Sequence, residues 1–483
     1  MTMLGIAKTD GRGGRLSCWL ALTVAVAALP VMACHLDVTD PDIITPDNLQ
    51  GASTLPTIRA AAFGDFALSY GGSGADGSSG TEGIIMMGGL LGDEFINSET
   101  FPTRIEIDRR ATLVTNGTLT GWFRTISRAR RSMEFAADRF RALSDTTINT
   151  GLSEMLSLSG YTYLWFAENW CSGVPFSHAN PDGSIVFGQP LTRQQMTDTA
   201  IARFTAALNA ANALAASVGA AKANFQNLAR VGLARALLDR GGAGDFATAA
   251  ATVAAVPTSF AYLVGYSETT TRENNGVFVA NGNAKRYSVA DSEGTNGIRY
   301  RSQGDIRDTV VRIGGTNTGF DAVTPQWDQL RFPDRKTSIP LATGAEARLI
   351  EAENALQLGD TANGGVFYQR LDSLRAHPPG YFFLNPAIPA PTSMPQLTTA
   401  DATTFGGAVN LLFRERALWM WLSAHRLGDL RRLARLPYNR PGESVFPTGA
   451  YFKGGSYGTD YNFPVPFEET NNPNFTQCLD RLP

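Results

Sequence analysis

The residues best suited to acid–base chemistry lie in one short acidic segment. Asp93 and Glu94 are adjacent, and Glu99, Glu106 and Asp108 follow soon after them. A glycosidase needs two facing carboxyl groups, and such a pair could be drawn from this set. Acidic residues in loops are common, however, and most of them are only solvated. A glycoside hydrolase is therefore the third of three functional hypotheses.

Other catalytic motifs are absent from the sequence. The histidines His35, His178, His377 and His425 have no neighbours at the spacing of metal ligands. No HExxH, GxSxG, phosphate-loop or paired-cysteine zinc pattern occurs. The sequence therefore predicts a protein without enzymatic activity, metal or cofactor.

The N-terminus carries a different chemistry, a site for lipid attachment. Basic residues precede an apolar run over residues 16–33, which is typical of a secretory signal. The run ends Val-Met-Ala and is followed by Cys34, and bacterial lipoproteins are cleaved and acylated at a cysteine after a small residue. We predict that residues 1–33 are removed and that Cys34 is lipidated. An ordinary signal peptide or an uncleaved anchor helix is the alternative.

The length, charge and hydropathy of the chain limit the classes of partner that it can have. Removing residues 1–33 from the 483 leaves 450, enough for a large core. The formal net charge is −3 and no basic stripe occurs, which argues against nucleic acid as a partner. No second apolar run is long enough to span a bilayer, so the mature chain is expected to be soluble apart from its anchor.

Two further cysteines remain in the predicted mature chain. Cys171 and Cys478 would lie in an exported protein, where thiols tend to oxidise. We predict a disulfide between them, which would tie the C-terminal tail to the middle of the chain. Two separate buried thiols are the alternative.

The spacing of apolar residues predicts that most of the elements that position the candidate residues are helices. Two segments, residues 227–255 and 345–376, form helical hairpins with Gly-Asp at the turn, and Asp245 is expected to cap the second helix of the first. Both hairpins resemble tetratricopeptide units. The other helices are predicted over residues 49–69, 116–143, 154–170, 196–216 and 411–433. The tryptophans at helical spacing are predicted to be core: Trp122, Trp165, Trp170, Trp419 and Trp421.

Two stretches lack helical periodicity. Residues 34–48 are acidic and punctuated by proline, as in a flexible tether. Residues 259–340 are rich in Gly, Asn, Thr, Tyr and Arg, and irregular chain of this length is usually functional. Short strands are predicted there at residues 276–280, 297–301 and 309–313.

Five motifs, in order along the chain, resemble one family. Residues 415–432 resemble the late helix of the SusD/RagB family of outer-membrane nutrient-binding lipoproteins, E-R-x-x-E-L-x-x-E-G-x-R-x-x-D-L-R-R. Trp419 and Ser423 stand where that pattern has glutamates, and Ala424 where it has glycine. The other matches are Cys34 with residues 36–41, residues 161–176 ending Gly-Val-Pro-Phe, residues 340–353, and residues 463–474 with Pro-Val-Pro and Asn-Pro-Asn.

The resemblance implies a mostly α fold: a scaffold of tetratricopeptide-like helical hairpins with a loop-rich lobe and a few short strands. We expect one SusD-like domain over residues 49–483. Its scaffold would span about residues 49–258 and 341–440, its lobe about 259–340 and its tail 441–483.

The resemblance also implies a function and a place. Such a protein would be a lipid-anchored, outward-facing lipoprotein of the outer membrane. It would bind oligosaccharide or peptide and deliver it to a TonB-dependent, SusC-like transporter, over which it closes as a lid. The main alternative is a lipid-anchored interaction scaffold that binds no nutrient.

The ligand surface of the family is usually built from the loop after the first helix and from the irregular lobe. Sugars stack on aromatic rings, while Asn, Asp and Arg bind their hydroxyl groups. Trp327 is the first candidate, because it lies outside any helical run. The other candidates are Asp328, Tyr287, Tyr300 and Arg301 in the lobe, and Phe95, Asn97, Phe101 and Arg104 in the loop.

Overall fold

The computed structural model describes residues 50–74, 82–180, 182–312 and 317–483 of the chain. Cys34, the predicted signal peptide and the predicted tether lie outside these residues. Residues from Leu55 to Pro483 cluster into one unit. Within the described residues, no helix combines the length and apolar composition needed to cross a bilayer.

Helices that pack side by side form most of this unit, which confirms the predicted mostly α fold. The helices are α1 (Leu55–Gly71), α2 (Ile84–Leu91), α3 (Pro102–Asp108), α4 (Gly117–Leu143), α5 (Gly151–Asn169), α6 (Arg193–Ala213), α7 (Ala220–Arg240), α8 (Asp245–Val253), α9 (Gly344–Gln357), α10 (Val366–Ala376), α11 (Thr399–Thr404), α12 (Ala408–Trp419) and α13 (Arg426–Ala434). Successive pairs from α4 to α8 are in contact, and α9 packs on both α8 and α10. The two hairpins are therefore neighbours in space despite the long insertion between them.

Helix α7 shows how the periodic apolar face becomes core. The predicted face, from Leu228 through Val231 and Ala234 to Leu238, is buried along its length. Gly241 ends the helix in the left-handed conformation that glycine adopts without strain. Asp245 is the first residue of α8 and not its cap, because Gly244 holds that position. The Asp245 carboxylate accepts the Gly242 amide at 2.7 Å and thereby closes the turn.

The aromatic residues of α5 lie at the centre of the core. Trp165 stacks on Tyr70 of α1 with ring centroids 5.3 Å apart, and Trp170 packs against Trp122 of α4 at 4.0 Å. All five tryptophans predicted to be core are buried, which confirms that prediction.

The predicted helix over residues 411–433 is wrong in one respect, because the chain breaks it into α12 and α13. Leu422 and Ala424 between them have φ values of 54° and 60°. Ala424 stands where the family pattern has glycine, the residue that adopts this conformation at least cost. The break is held from outside, since the Leu422 amide donates to the Glu94 carboxylate at 2.9 Å.

Buried ion pairs join these two helices. Arg416 of α12 forms two hydrogen bonds with Asp429 of α13, at 2.8 and 2.9 Å. Arg432 bridges the same Asp429 and Glu353 of α9. The arginines and the aspartate of the 415–432 motif therefore fix how α9, α12 and α13 pack.

The strands are short and pair in antiparallel twos. They are β1 (Phe95–Asn97), β2 (Val174–Pro175), β3 (His178–Ala179), β4 (Ile185–Val186), β5 (Pro190–Leu191), β6 (Ala261–Val264), β7 (Tyr287–Val289), β8 (Val310–Arg312), β9 (Trp327–Gln329) and β10 (Ile339–Thr343). The pairs are β1 with β7, β2 with β5, β3 with β4, β6 with β10 and β8 with β9.

Of the three strands predicted in the lobe, only the one at residues 309–313 matches a strand, β8. Residues 276–280 are helical instead, because the Asn275 side chain accepts the Phe278 amide and caps a turn at Gly276–Phe278. Residues 297–301 form turns, in which the Gly297 amide donates to the Glu293 carbonyl. A side-chain cap in the first segment and a backbone turn in the second therefore override the strand propensity of these segments.

The C-terminal tail is bound to the end of α5. Cys171 and Cys478 form a disulfide with their Cα atoms 5.9 Å apart. Around it, the Cys171 amide donates to the Phe463 carbonyl at 2.9 Å, and the Leu479 amide donates to the Ser172 carbonyl at 2.8 Å. Covalent and backbone bonds thus fix the tail on the scaffold.

Candidate functional site

Three segments that are distant in sequence meet at the start of β7. Pairing of Asn97 with Tyr287 brings the end of β1 beside residues 285–287. The Ser98 amide then donates to the Arg286 carbonyl at 3.0 Å, and the Phe320 amide donates to the Lys285 carbonyl at 2.9 Å. Backbone bonds therefore hold the loops at residues 98–101 and 317–321 side by side.

These loops expose aromatic rings to the solvent, and two arginines pack against the rings. The Arg286 guanidinium lies between two rings, 4.2 Å from the Phe320 centroid and 5.1 Å from the Phe101 centroid. Arg104 lies 5.3 Å from the Phe101 ring. Phe101 and Phe320 are 41% and 53% exposed. We call this set, Phe101, Arg104, Arg286 and Phe320, the aromatic platform.

Two carboxylates fix the arginines of the platform. Glu99 is fully buried, accepts a hydrogen bond from Arg104 at 2.7 Å and pairs with Arg286. Glu82 pairs with Arg104 from the other side. Burial acts to lower the pKa of Arg104, but Tyr287, Glu82 and Glu99 more than offset this effect, so its pKa lies above the usual value. The carboxylates therefore hold both arginines in place before any ligand binds.

Lys453 from the C-terminal tail links the segments of the site. Its ammonium donates to the Asn97 side chain at 2.8 Å and to the Glu99 carbonyl at 2.7 Å, and it pairs with Asp321 at 2.8 Å. Burial acts to raise the pKa of Asp321, but the hydrogen bond from Lys453 contributes to lowering it to about 2. The neighbouring Phe452 is exposed and adds a third ring beside the platform.

Among the predicted ligand residues, Phe101 and Arg104 belong to the platform. Trp327 and Arg301 form a separate pair, with the guanidinium 5.1 Å from the indole ring. Trp327 is half-buried, and its backbone is fixed by Ser288 and Asn281. One face of this ring is therefore already covered by a side chain of the protein.

The other predicted ligand residues are buried inside the protein. Tyr287 donates to Glu82 at 3.2 Å, and Tyr300 stacks on Trp421 with centroids 5.9 Å apart. Burial raises the pKa of Asp328 to about 6, while a hydrogen bond from Gln326 acts against this shift. Phe95 and Asn97 are buried in and beside the β1–β7 pair. These five side chains are buried and do not belong to the aromatic platform.

The acidic segment proposed as a source of catalytic carboxylates is also used structurally. Asp93 forms a bidentate pair with Arg426. Burial raises the pKa of Glu94, which holds the α12–α13 break, to about 8. Glu106 accepts a hydrogen bond from Asn116 at 2.8 Å. With Glu99 bound to two arginines, the segment presents no exposed pair of carboxylates.

Asp108, the last of these acids, is paired with a second carboxyl group. Its side chain faces Glu293, while Tyr451 and Tyr457 donate to the two carboxyls at 2.7 and 2.8 Å. The remaining oxygens, Oδ1 of Asp108 and Oε2 of Glu293, are buried and have no other hydrogen-bond partner. Burial raises the pKa of Asp108 to about 6, and burial together with Asp108 raises that of Glu293 well above its usual value. The protein therefore favours the protonated form of at least one of these two carboxyls.

Sequence reasoning missed Arg286, Phe320, Phe452 and Lys453. The available signal was weak: Phe320 and Phe452 are large aromatic residues in glycine-rich, non-helical chain, where no apolar periodicity explains them. Among the described residues, no group of three or more His, Cys, Asp or Glu side chains could hold a metal ion. Flat rings beside fixed guanidinium and ammonium groups can stack on an apolar ligand face and donate hydrogen bonds to its oxygen atoms.

No sequence-family profile matches the chain, and no curated protein matches it. Several solved structures are similar to it. A SusD superfamily protein from Parabacteroides distasonis superposes with a TM-score of 0.60 at 11% identity, covering 90% of this chain and 99% of that one. Surface glycan-binding protein A from Bacteroides uniformis gives 0.57 at 13% identity, covering 88% and 99%. A SusD-like carbohydrate-binding protein from Bacteroides fragilis gives 0.59 at 13% identity, covering 88% and 100%. The chain therefore has the SusD-like fold.

Proposed function

We propose that this chain is a lipid-anchored SusD-like protein that binds oligosaccharide on the aromatic platform without turning it over. The observation that carries this proposal is the exposure of Phe101 and Phe320 on either side of a fixed Arg286. Adjacent exposed apolar groups often mark a binding surface, whereas single exposed apolar residues are common and need no explanation. Here the rings and the guanidinium form a surface suited to a sugar ring, which has an apolar face and a rim of hydroxyl groups.

The structural neighbours support a glycan as the ligand. Two of them are described as glycan-binding or carbohydrate-binding proteins. The prediction of a glycan or peptide ligand is thereby narrowed, in this proposal, to a glycan. From the family resemblance and the predicted lipidation of Cys34, we also propose that the protein lies on the outer face of the outer membrane. There it would deliver its ligand to a TonB-dependent, SusC-like transporter and close over this transporter as a lid.

A calorimetric panel of glycans and peptides tests the ligand proposal with the variant Phe320→Ala. A phenylalanine side chain carries about 200 Å² of surface, so its exposed half can contribute about 1–2.5 kcal/mol when a sugar covers it. We therefore expect glycan affinity to fall at least five-fold. Phe187→Ala, which removes an exposed ring on the β4–β5 loop, is the matched control and should leave affinity unchanged.

The same panel decides between the platform and the residue chosen from sequence. Trp327→Ala should have a smaller effect than Phe320→Ala, because Trp327 is half-buried whereas Phe320 is 53% exposed. A larger effect of Trp327→Ala would move the site to that pair. Binding of peptides alone, or of neither class, would contradict the glycan proposal and favour the interaction scaffold, and hydrolysis of any glycan would contradict the absence of turnover.

The transporter partnership has its own test. Affinity purification of the full-length lipoprotein from detergent-solubilised outer membranes should recover a TonB-dependent barrel in equal amount. Recovery of the lipoprotein alone, under conditions that keep a known barrel complex intact, would contradict the lid role without affecting glycan binding.

A further inference from the structure

A cavity of about 660 Å³ lies apart from the aromatic platform. It is enclosed by residues 296–303 of the lobe, by helices α12 and α13, and by the start of the C-terminal tail. None of the four platform residues lines it. Its size falls in the range of sites that bind small molecules.

Arginines dominate the polar lining of this cavity. Arg299, Arg414 and Arg440 all line it, and none of the described lining residues is acidic. Arg426 also reaches the wall, but its charge is balanced by Asp93. We call this site the arginine cavity.

Arg414 and Arg440 are half-buried and Arg299 is exposed, and among the described residues none of the three donates a hydrogen bond to a carboxylate. The Arg440 guanidinium donates to the neutral side chain of Asn410. Arg414 donates to the neutral Gln303 at 3.0 Å and lies 4.5 Å from the Phe405 ring. Within the described part of the chain, the Arg299 guanidinium makes no hydrogen bond or ion pair.

Three carboxylates near the cavity are already bound within the protein. Glu415 lies 3.6 Å from Arg414, but its oxygens accept four hydrogen bonds from Arg307 and Arg375. Asp305 forms a bidentate pair with Arg307, and Asp308 accepts a hydrogen bond from Gln303. The described residues that line the cavity therefore carry positive charge and no negative charge.

Burial makes this excess costly. It lowers the pKa of both Arg414 and Arg440 below the usual value, which shows that the surroundings disfavour their charged form. Guanidinium groups remain charged nonetheless, and planar anions such as carboxylates bind them through paired hydrogen bonds. An anion in the cavity would remove the imbalance.

We propose that the arginine cavity binds the acidic group of a small carboxylated saccharide. The anion follows from the unbalanced guanidinium groups, whereas its attachment to a sugar rests on the proposed function. A lone carboxylate would fill only a small part of the volume. The Phe405 ring, stacked under Arg414, supplies an apolar wall for the rest of the molecule.

The test is calorimetry on the folded protein with glucuronate as the probe and glucose and acetate as comparisons. Glucuronate should bind at least ten-fold more tightly than either. Arg440→Gln and Arg299→Gln should each weaken glucuronate binding at least ten-fold. Arg141→Gln, which removes the same charge from an exposed position on α4, should leave it unchanged. Melting temperatures of all variants establish that they are folded.

Other outcomes overturn the proposal. Equal affinity for glucose would show that charge is not recognised, and equal affinity for acetate would show that the sugar is not. Unchanged glucuronate binding in both cavity variants would place the anion elsewhere. Phe320→Ala separates this site from the platform, because it should retain full glucuronate binding even when it loses the glycans of the larger panel.

Discussion

Replacing Glu99 with glutamine is the sharpest perturbation of the aromatic platform. Glu99 is fully buried and its carboxylate holds both Arg104 and Arg286. Glutamine keeps the shape of the side chain but removes its charge and turns an amide N–H₂ group towards one guanidinium. Arg286 is itself buried, so it loses its only carboxylate partner among the described residues.

The magnitude follows from which charges remain uncompensated. Removing one member of a buried ion pair costs about 3–5 kcal/mol, because the other charge stays desolvated. Arg104 keeps its second partner, Glu82, so the cost arises mainly from Arg286. We therefore expect Glu99→Gln to lower the free energy of unfolding by about 3 kcal/mol, at the lower end of that range. Because Arg286 then no longer lies fixed between Phe101 and Phe320, glycan affinity should fall about ten-fold, which corresponds to 1.4 kcal/mol.

Urea denaturation measures the first effect and calorimetry with the best glycan of the panel measures the second. The control is Asp138→Asn, which removes the partner of Arg141 in an ion pair that is exposed on both sides. Such pairs contribute about 0–1 kcal/mol, so this variant should unfold like the wild type. A loss of stability in Glu99→Gln no larger than that of Asp138→Asn would refute the reasoning. So would full glycan affinity in a variant that is clearly destabilised.

Three further predictions follow from the same structure. Mass spectrometry without reductant should find no free thiol at Cys171 or Cys478, and two free thiols would contradict the disulfide. Replacing both cysteines with serine should lower the free energy of unfolding by about 3–5 kcal/mol, since the disulfide spans 307 residues. Stability should fall as pH rises from about 5 to above 6, because Asp108, with a folded-state pKa of about 6, and Glu293, with a raised pKa, bind protons more tightly when folded, an effect of up to about 1.4 kcal/mol per pH unit for each group. Thermal melts should show a flatter pH dependence in Glu293→Gln, and an unchanged slope would contradict the raised pKa of Glu293. Cys34→Ser should release the protein from membranes into the soluble fraction, and continued co-sedimentation with membranes would contradict lipidation at that residue.

Local patterns accounted well for the helical scaffold. The apolar face of α7, the Gly-Asp turns and the buried tryptophans follow from periodicity and from turn chemistry, both of which act over a few residues. Where prediction failed, a distant residue decided the backbone. The break between α12 and α13 depends on Glu94, more than three hundred residues earlier in the chain, which accepts the Leu422 amide. The 415–432 motif indicates the family's helix but carries no sign of that contact.

The candidate site shows the limit of sequence reasoning more clearly. Among the predicted ligand residues, Phe101 and Arg104 belong to the platform, whereas Tyr287 and Tyr300 are buried. All four are aromatic or charged residues of irregular segments, so composition cannot separate them. A buried supporting residue and an exposed ligand-binding residue differ only in whether the side chain points inward or outward. In irregular chain this direction does not follow a regular sequence period, unlike in a helix or strand.

The sequence by itself predicted an export signal and a lipidation site, and it determined the helical hairpins and the motifs that resemble the SusD/RagB family, because each of these depends on residues close to one another in the chain. The tertiary structure alone decided the aromatic platform and the arginine cavity. The platform joins Glu99, Arg286, Phe320 and Lys453 through the pairing of β1 with β7 and through loop hydrogen bonds. The cavity joins Arg299 of the lobe, Arg414 of α12 and Arg440 after α13, which are distant from one another in the sequence. Both sites depend on which charges meet after folding, and that is a property of packing that no short stretch of sequence contains.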